Sequence, residues 1–222
     1  MRNTFKGVIF DFDCTLADSK QGMYKCVTAV LKKMNYPAPH YGDVIKTIGI
    51  PPEKKFTFLT NVNDHAEQLK FKTLYLELIN PPSSFFLPFS ILFPETIELL
   101  TLIKSLGCKI AIVSTKTRFA LKQELMHLRL MRFIDSIQAG DDVSHPKPNP
   151  QGILNVLSQW KMVSDEVLYI GDHAVDAAAA MAANIHFIGL TTGTTSEIEL
   201  KKYPHMLVTD NLKNIFQIFL DD

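Results

Sequence analysis

The stretch "GVIFDFDCTLADS", Gly7 to Ser19, opens on an apolar run and then crowds two carboxylates, a thiol and a hydroxyl into Asp11–Thr15. A short apolar run bounded by polar residues reads as a buried strand, so these groups stand where that strand ends. Three readings are open on this stretch alone. One of the aspartates is a nucleophile, Cys14 is the nucleophile, or the cluster is a polar turn without chemistry, since aspartates commonly close turns.

Working outward, five more apolar runs end in polar loops: "KIAIVS" (109–114), "FIDSIQA" (133–139), "EVLYIG" (166–171), "IHFIGL" (185–190) and "HMLVT" (205–209). Helical patterns lie between them. "PETIELLTLIKSLG" carries Ile97, Leu100, Ile103 and Leu106 at helical spacing, with Pro94 expected at the first helical position and Gly107 as the stop. "TRFALKQELMHLRL", "PQGILNVLSQW" and "AVDAAAAMAAN" supply three more. Strands alternating with helices predict an α/β fold, a doubly wound parallel sheet covered on both faces.

The alternation breaks once. From about Ala17 to Phe89 the pattern is mainly helical, with helices expected in "KQGMYKCVTAVLKKM", around Tyr41–Ile48 and in "DHAEQLKFKTLYLELI". The block closes in "NPPSSFFLPFS", which reads as a linker. The expected organisation is a core of residues 1–17 and 89–222 with a helical domain of residues 18–88 inserted after the first strand. Phe85, Phe86, Phe89 and Phe93 are read as packing at this junction.

The bulk numbers bound the partners. A chain of 222 residues at 46% hydrophobic can bury a full core. Its 23 basic and 23 acidic residues give no field that would draw it to nucleic acid or an anionic membrane. The apolar stretches fall short of a bilayer span, and "MRNTFK" runs into a strand without the features of a cleavable signal. Cys14, Cys26 and Cys108 form no CxxC or Cys/His spacing, which argues for reduced thiols. A cytoplasmic monomer or homodimer is expected.

In a doubly wound sheet, every parallel strand delivers its C-terminal loop to the edge where ligands bind. The first strand brings Asp11, Asp13 and Thr15 there, and the second brings Ser114 and Thr115. The third leads into "GDDVSHPKPNP" with Lys147, and the fourth into "GDHAVD" with Asp172 and Asp176. Carboxylates, a hydroxyl and an ammonium at one edge suit phosphoryl transfer with a hard cation. Alternation along the backbone sets Asp11 and Asp13 on one side of the chain. Asp11 would attack phosphorus, and Asp13 would protonate the leaving oxygen and then accept a proton from water. A cysteine phosphatase would need an arginine six residues beyond Cys14, where the chain has Lys20.

"DFDCT", Ser114 after an apolar strand, Lys147 in "KPNP" and "GDHAVD", in that order, resemble the haloacid dehalogenase (HAD) superfamily of phosphatases. The resemblance implies Asp11 as nucleophile and Asp13 as general acid/base. It implies Mg2+ held by Asp11, the backbone carbonyl of Asp13, and Asp172. Asp176 would orient that metal shell, Thr15 would support it, and Ser114 and Lys147 would hold phosphate. The insertion is similar to the family's mobile helical cap. "LFPETIELLTLIKSLGCKIAIVSTK", "AGDDVSHPKPNP" and "GLTTGTT" look like segments of phosphoglycolate phosphatases. Cys14 stands where glycine is frequent, Thr115 where asparagine is common, His173 where a small hydroxyl residue is common, and Asn184 where glycine is frequent. Thr115 and His173 are placed to alter substrate fit.

The expected function is thus Mg2+-dependent hydrolysis of a small phosphorylated metabolite through an aspartyl-phosphate. Within the family, a sugar-phosphate mutase and a phosphonate hydrolase with a cap lysine are alternatives. Lys54 and Lys55 are the candidates for that lysine, unless they are a solvated pair. A phospho-receiver module is the non-enzyme alternative. Duller readings compete residue by residue: Ser114 and Thr115 as helix caps, Lys147 as a solvated charge, and His173 as a surface histidine.

Overall fold

The computed structural model describes residues 5–80 and 87–220. Residues 81–86 of the Pro- and Ser-rich segment, with Phe85 and Phe86, lie outside the described residues.

The strands are β1 (Gly7–Phe10), β2 (Ala17–Asp18), β3 (Ile91–Leu92), β4 (Lys109–Val113), β5 (Ser136–Gln138), β6 (Val167–Gly171), β7 (His186–Leu190) and β8 (Leu207–Thr209). Six of them form one sheet in the order β5-β4-β1-β6-β7-β8. All its pairings are parallel, with Gly7 opposite Lys109 on one side and Val167 on the other. The winding turns outward in both directions from β1, so the carboxyl ends of β4, β1 and β6 meet at a topological switch point.

The alternation in β1 explains why the sheet needs helices on both faces. Val8 and Phe10 pack with Leu99, Leu100 and Ile103 of α5 (Thr96–Ser105) and Leu121 and Leu125 of α6 (Arg118–His127). Ile9 points the other way, toward Ile153 and Val156 of α7 (Gln151–Trp160) and the alanine face of α8 (Ala174–Ala182). Pro94 lies outside α5, whose N-cap is Glu95, so the helix begins later than its proline suggests. Gly107 adopts φ 78° just past the helix end, the left-handed geometry that stops a helix. Phe93 packs against the same core.

By contact, the chain divides into two units, one running to Asp18 and resuming at Leu92, the other Ser19–Ile91. The second unit holds α1 (Lys20–Lys33), α2 (Tyr41–Ile45), α3 (Pro52–Thr60) and α4 (His65–Ile79). Its interior is a run of rings in which Tyr36 meets Phe56 edge-on, Phe56 meets Phe71, and Phe71 stacks on Tyr75. Asp64 caps α4 by accepting from the Glu67 N–H at 2.9 Å. The Phe89 ring centre lies 4.0 Å from the Lys25 ammonium.

Helix α3 is an addition to the sequence reading, which expects helices in this block only on either side of it. Pro51 is extended and Pro52 occupies the first helical position, where a missing N–H does no harm. The helix also separates two lysines that read as a pair. Lys54 is exposed, whereas Lys55 is fully buried, its ammonium 3.2 Å from Met23 Sδ and 5.3 Å from the Tyr75 ring centre. Lys55 is therefore not part of a solvated pair.

Candidate active site

β1 ends where its backbone is still held by the sheet, the Asp11 N–H donating to Ile170 O at 2.9 Å. The chain then turns tightly, with the Leu16 N–H donating to Phe12 O at 3.0 Å and the Cys14 N–H to Ala17 O at 2.7 Å. Cys14 takes the left-handed conformation at φ 58° to make this turn, which is the reason glycine suits the position. Asp11 and Asp13 both end up buried, and Thr15 Oγ1 donates to Asp172 Oδ1 at 2.9 Å. The first and fourth loops are thereby joined.

Lys147 reaches the same place from the loop beyond β5. Its ammonium lies 2.7 Å from Asp11 Oδ1, 2.5 Å from Asp176 Oδ1 and 3.1 Å from Tyr169 OH. Its side chain is only 5% exposed, so it is not a solvated charge. Burial works against the ammonium, but Asp11 and Asp176 outweigh it and hold its pKa well above the ordinary value. Tyr169 rises from β6 beneath the site, and its hydroxyl also donates to Val113 O at 3.2 Å. Burial, reinforced by Asp176, pushes that phenol well up.

Asp11, Asp172 and Asp176 bring carboxylate oxygens within 4.8 Å of one another, all three buried. Burial raises the Asp11 carboxyl to about 7 against the pull of Lys147, with Asp176 and Asp13 adding to the rise. Asp172 is pushed well above the usual range by burial, then by Asp11 and Asp176. Such crowding of anionic oxygen, away from water, is what a hard divalent cation neutralises. The donor set therefore fits magnesium. Asp176, to which the resemblance assigns a supporting role, is the third carboxylate of this cluster. Its own oxygens take Lys147, Tyr169 OH at 3.1 Å and the His173 N–H at 3.0 Å.

Two sequence readings need correction here. The cap of α6 is Thr117, whose hydroxyl accepts from the Ala120 N–H at 3.4 Å, so neither Ser114 nor Thr115 caps that helix. Ser114 is buried at the end of β4, its hydroxyl accepting from the Lys116 N–H at 3.2 Å, while Thr115 is half-buried beside it. His173 is neither a bare surface residue nor turned wholly to solvent. It caps α8, Nδ1 accepting from the Val175 N–H at 3.2 Å, and burial lowers its pKa.

A fifth loop, after β7, is part of the site. Thr192 Oγ1 donates to Cys14 O, and Thr195 Oγ1 accepts from the Ala174 N–H at 3.1 Å. Between them Gly193 presses on the metal-type carboxylate, since a Cβ there would stand 1.8 Å from Asp172 Oδ2. Tyr169, Lys116 and Gly193 are not among the residues expected from sequence. The polar ring in an otherwise aliphatic strand, "VLYIG", and the glycine inside "TTGTT" are the traces that two of them leave in the sequence.

Residues 8–190 match the model of the haloacid dehalogenase-like hydrolases. The chain belongs to this family. Among solved structures, a protein from Bacteroides fragilis described as a haloacid dehalogenase-like hydrolase is 35% identical, with a TM-score of 0.88 over 96% of this chain and 100% of that one. IndB of Dickeya dadantii, named as a phosphatase, is 26% identical over 94% of this chain and 90% of its own. A protein of Nitrosococcus oceani named phosphoglycolate phosphatase is 25% identical over 94% and 93%. This HAD-like hydrolase is accordingly an enzyme with an α/β core of the family's kind. Among its described residues, no helix is long and apolar enough to cross a membrane.

Proposed function

We propose that this HAD-like hydrolase is a magnesium-dependent phosphatase that releases inorganic phosphate from a small phosphorylated metabolite in the cytoplasm, phosphoglycolate and sugar phosphates being the leading substrate classes. The observation that carries the reading is the meeting of Asp11, Asp172 and Asp176 with Lys147 at the carboxyl edge of the central strands. Relatives named phosphoglycolate phosphatase support the substrate class.

In this reading Asp11, the backbone carbonyl of Asp13, and Asp172 hold magnesium, with Asp176 orienting the set. Bound there, the cation would neutralise charge on the phosphoryl oxygens and keep Asp11 ionised. An Asp11 oxygen attacks phosphorus as the bond to the leaving oxygen breaks, and Asp13 gives that oxygen its proton. The freed alcohol departs, leaving phosphate on Asp11. Asp13 then takes a proton from water as the water oxygen attacks phosphorus, and the bond to Asp11 breaks. Substrate and one water become alcohol and inorganic phosphate, with both aspartates restored. Ser114 and Lys147 bind the phosphoryl group through donors already fixed by burial, with the half-buried Thr115 beside them. Residues 18–88 act as a cap that covers the substrate.

The test is phosphate release from a panel of phosphoglycolate, sugar phosphates, nucleotides and cofactor phosphates, with magnesium and with chelator. Magnesium-dependent turnover of at least one small phosphomonoester is expected. Formation of an isomerised sugar phosphate without free phosphate would replace this reading with a mutase.

A further inference from the structure

Helix α6 presents Ala120, Leu121 and Leu125 to the core, and among them it buries the carboxylate of Glu124, which is 0% exposed. A charge placed in an apolar layer needs a partner. Lys116 supplies one, its ammonium 2.7 Å from Glu124 Oε2 and 2.6 Å from Asp13 Oδ1. The ammonium also stands 5.3 Å from the centre of the Phe12 ring.

The lysine is held at its backbone as well as at its tip. Its N–H donates to Ser114 Oγ at 3.2 Å, and its carbonyl accepts from the Gly140 N–H at 2.7 Å. That second contact requires glycine, because a Cβ on residue 140 would stand 2.4 Å from Thr115 O. Lys116 is thus anchored at three points before it touches Asp13. Burial opposes its charge, but Asp13 and Glu124 outweigh it and raise the ammonium's pKa.

We propose that Lys116, seated by Glu124, is a positioning residue that aims the Asp13 carboxyl at the leaving oxygen. This rests on the phosphatase reading above and adds to it the residues that give its general acid a fixed direction. An ammonium tied only to Asp13 would follow that side chain through its rotamers. One also tied to α6 fixes the Asp13 oxygen it holds relative to the sheet edge, and orientation of an acid decides how well it transfers a proton. Glu124 touches no reacting atom and acts through Lys116.

The test separates orientation of the acid from general damage. An alkyl phosphomonoester needs its leaving oxygen protonated, whereas p-nitrophenolate leaves unaided. With the full chain and magnesium, kcat/KM is compared on both substrates for wild type, Lys116→Met and Glu124→Gln. Lys116→Met is expected to lose about 100-fold or more on the alkyl ester and less than about tenfold on p-nitrophenyl phosphate, with Glu124→Gln between it and wild type. Should Lys116→Met fail to fold, the double variant Lys116→Met/Glu124→Leu removes both buried charges and should show the same split. Equal losses on the two substrates, or wild-type rates on the alkyl ester, would overturn the proposal. A wild-type protein that turns over neither substrate would instead overturn the phosphatase reading.

Discussion

Gly193 lies so close to Asp172 that a methyl group on its α-carbon would stand 1.8 Å from Asp172 Oδ2. The loop after β7 therefore fixes the position of a carboxylate in the candidate metal cluster. Gly193→Ala must displace either the loop or Asp172. The expected outcome is a magnesium affinity about 10–100-fold weaker, the range found when groups behind a metal ligand are disturbed. Magnesium titration of phosphate release and of the thermal midpoint would check it, both shifting together.

The raised Asp11 carboxyl makes stability depend on pH in a defined direction. With its pKa lifted from 3.8 to about 7, the neutral form favours the fold fully below 3.8, and this is lost as pH rises through 7. In chelator, stability should fall between pH 5 and 8, by at most about 3 kcal/mol from this group, which lowers the thermal midpoint by several degrees. Asp11→Asn should flatten that slope. Because the proton must leave for magnesium to bind, affinity should tighten as pH rises toward 7 and level off above it.

Lys147 is paired with both Asp11 and Asp176, and all three side chains are largely shielded from water. Lys147→Met would leave two buried carboxylates facing each other without their cation. A loss of about 3–5 kcal/mol is expected, with turnover falling as well. Denaturant unfolding in chelator measures the first. Magnesium should restore part of the stability by taking over the charge, and no such recovery would argue against the cation site.

How far the sequence could foretell this depended on whether a signal was local. β1 was legible because Val8, Ile9 and Phe10 are apolar on both faces, as befits a central parallel strand. Asp11, Asp13, Asp172 and Lys147 were legible because each closely follows a strand or sits between prolines. Helix α3 was not foreseen, since paired prolines are poor helix signals even though Pro52 can occupy the first helical position. Glu124 looked like one more charge on a helix, and its burial follows only from which side α6 turns to the sheet. Gly193 and Tyr169 owe their places to the sheet order β1-β6-β7, a relation among distant segments.

Cys14, in the left-handed region between the two aspartates, offers a separate check. Cys14→Ser should keep activity within about threefold, since the thiol enters neither the attack by Asp11 nor the proton transfers of Asp13. Cys14→Val should lose about 1–3 kcal/mol, because a branched side chain fits that backbone poorly. Thermal unfolding and initial rates on the pair would separate the two effects.

The mechanism stands on an Asp11 oxygen attacking phosphorus. Phosphate release by Asp11→Asn, measured beside wild type in saturating magnesium on the best substrate of the panel, tests it most directly. The predicted result is a loss on the order of 10⁴-fold or more with the protein still folded. A folded Asp11→Asn variant retaining more than about a tenth of wild-type turnover would contradict it.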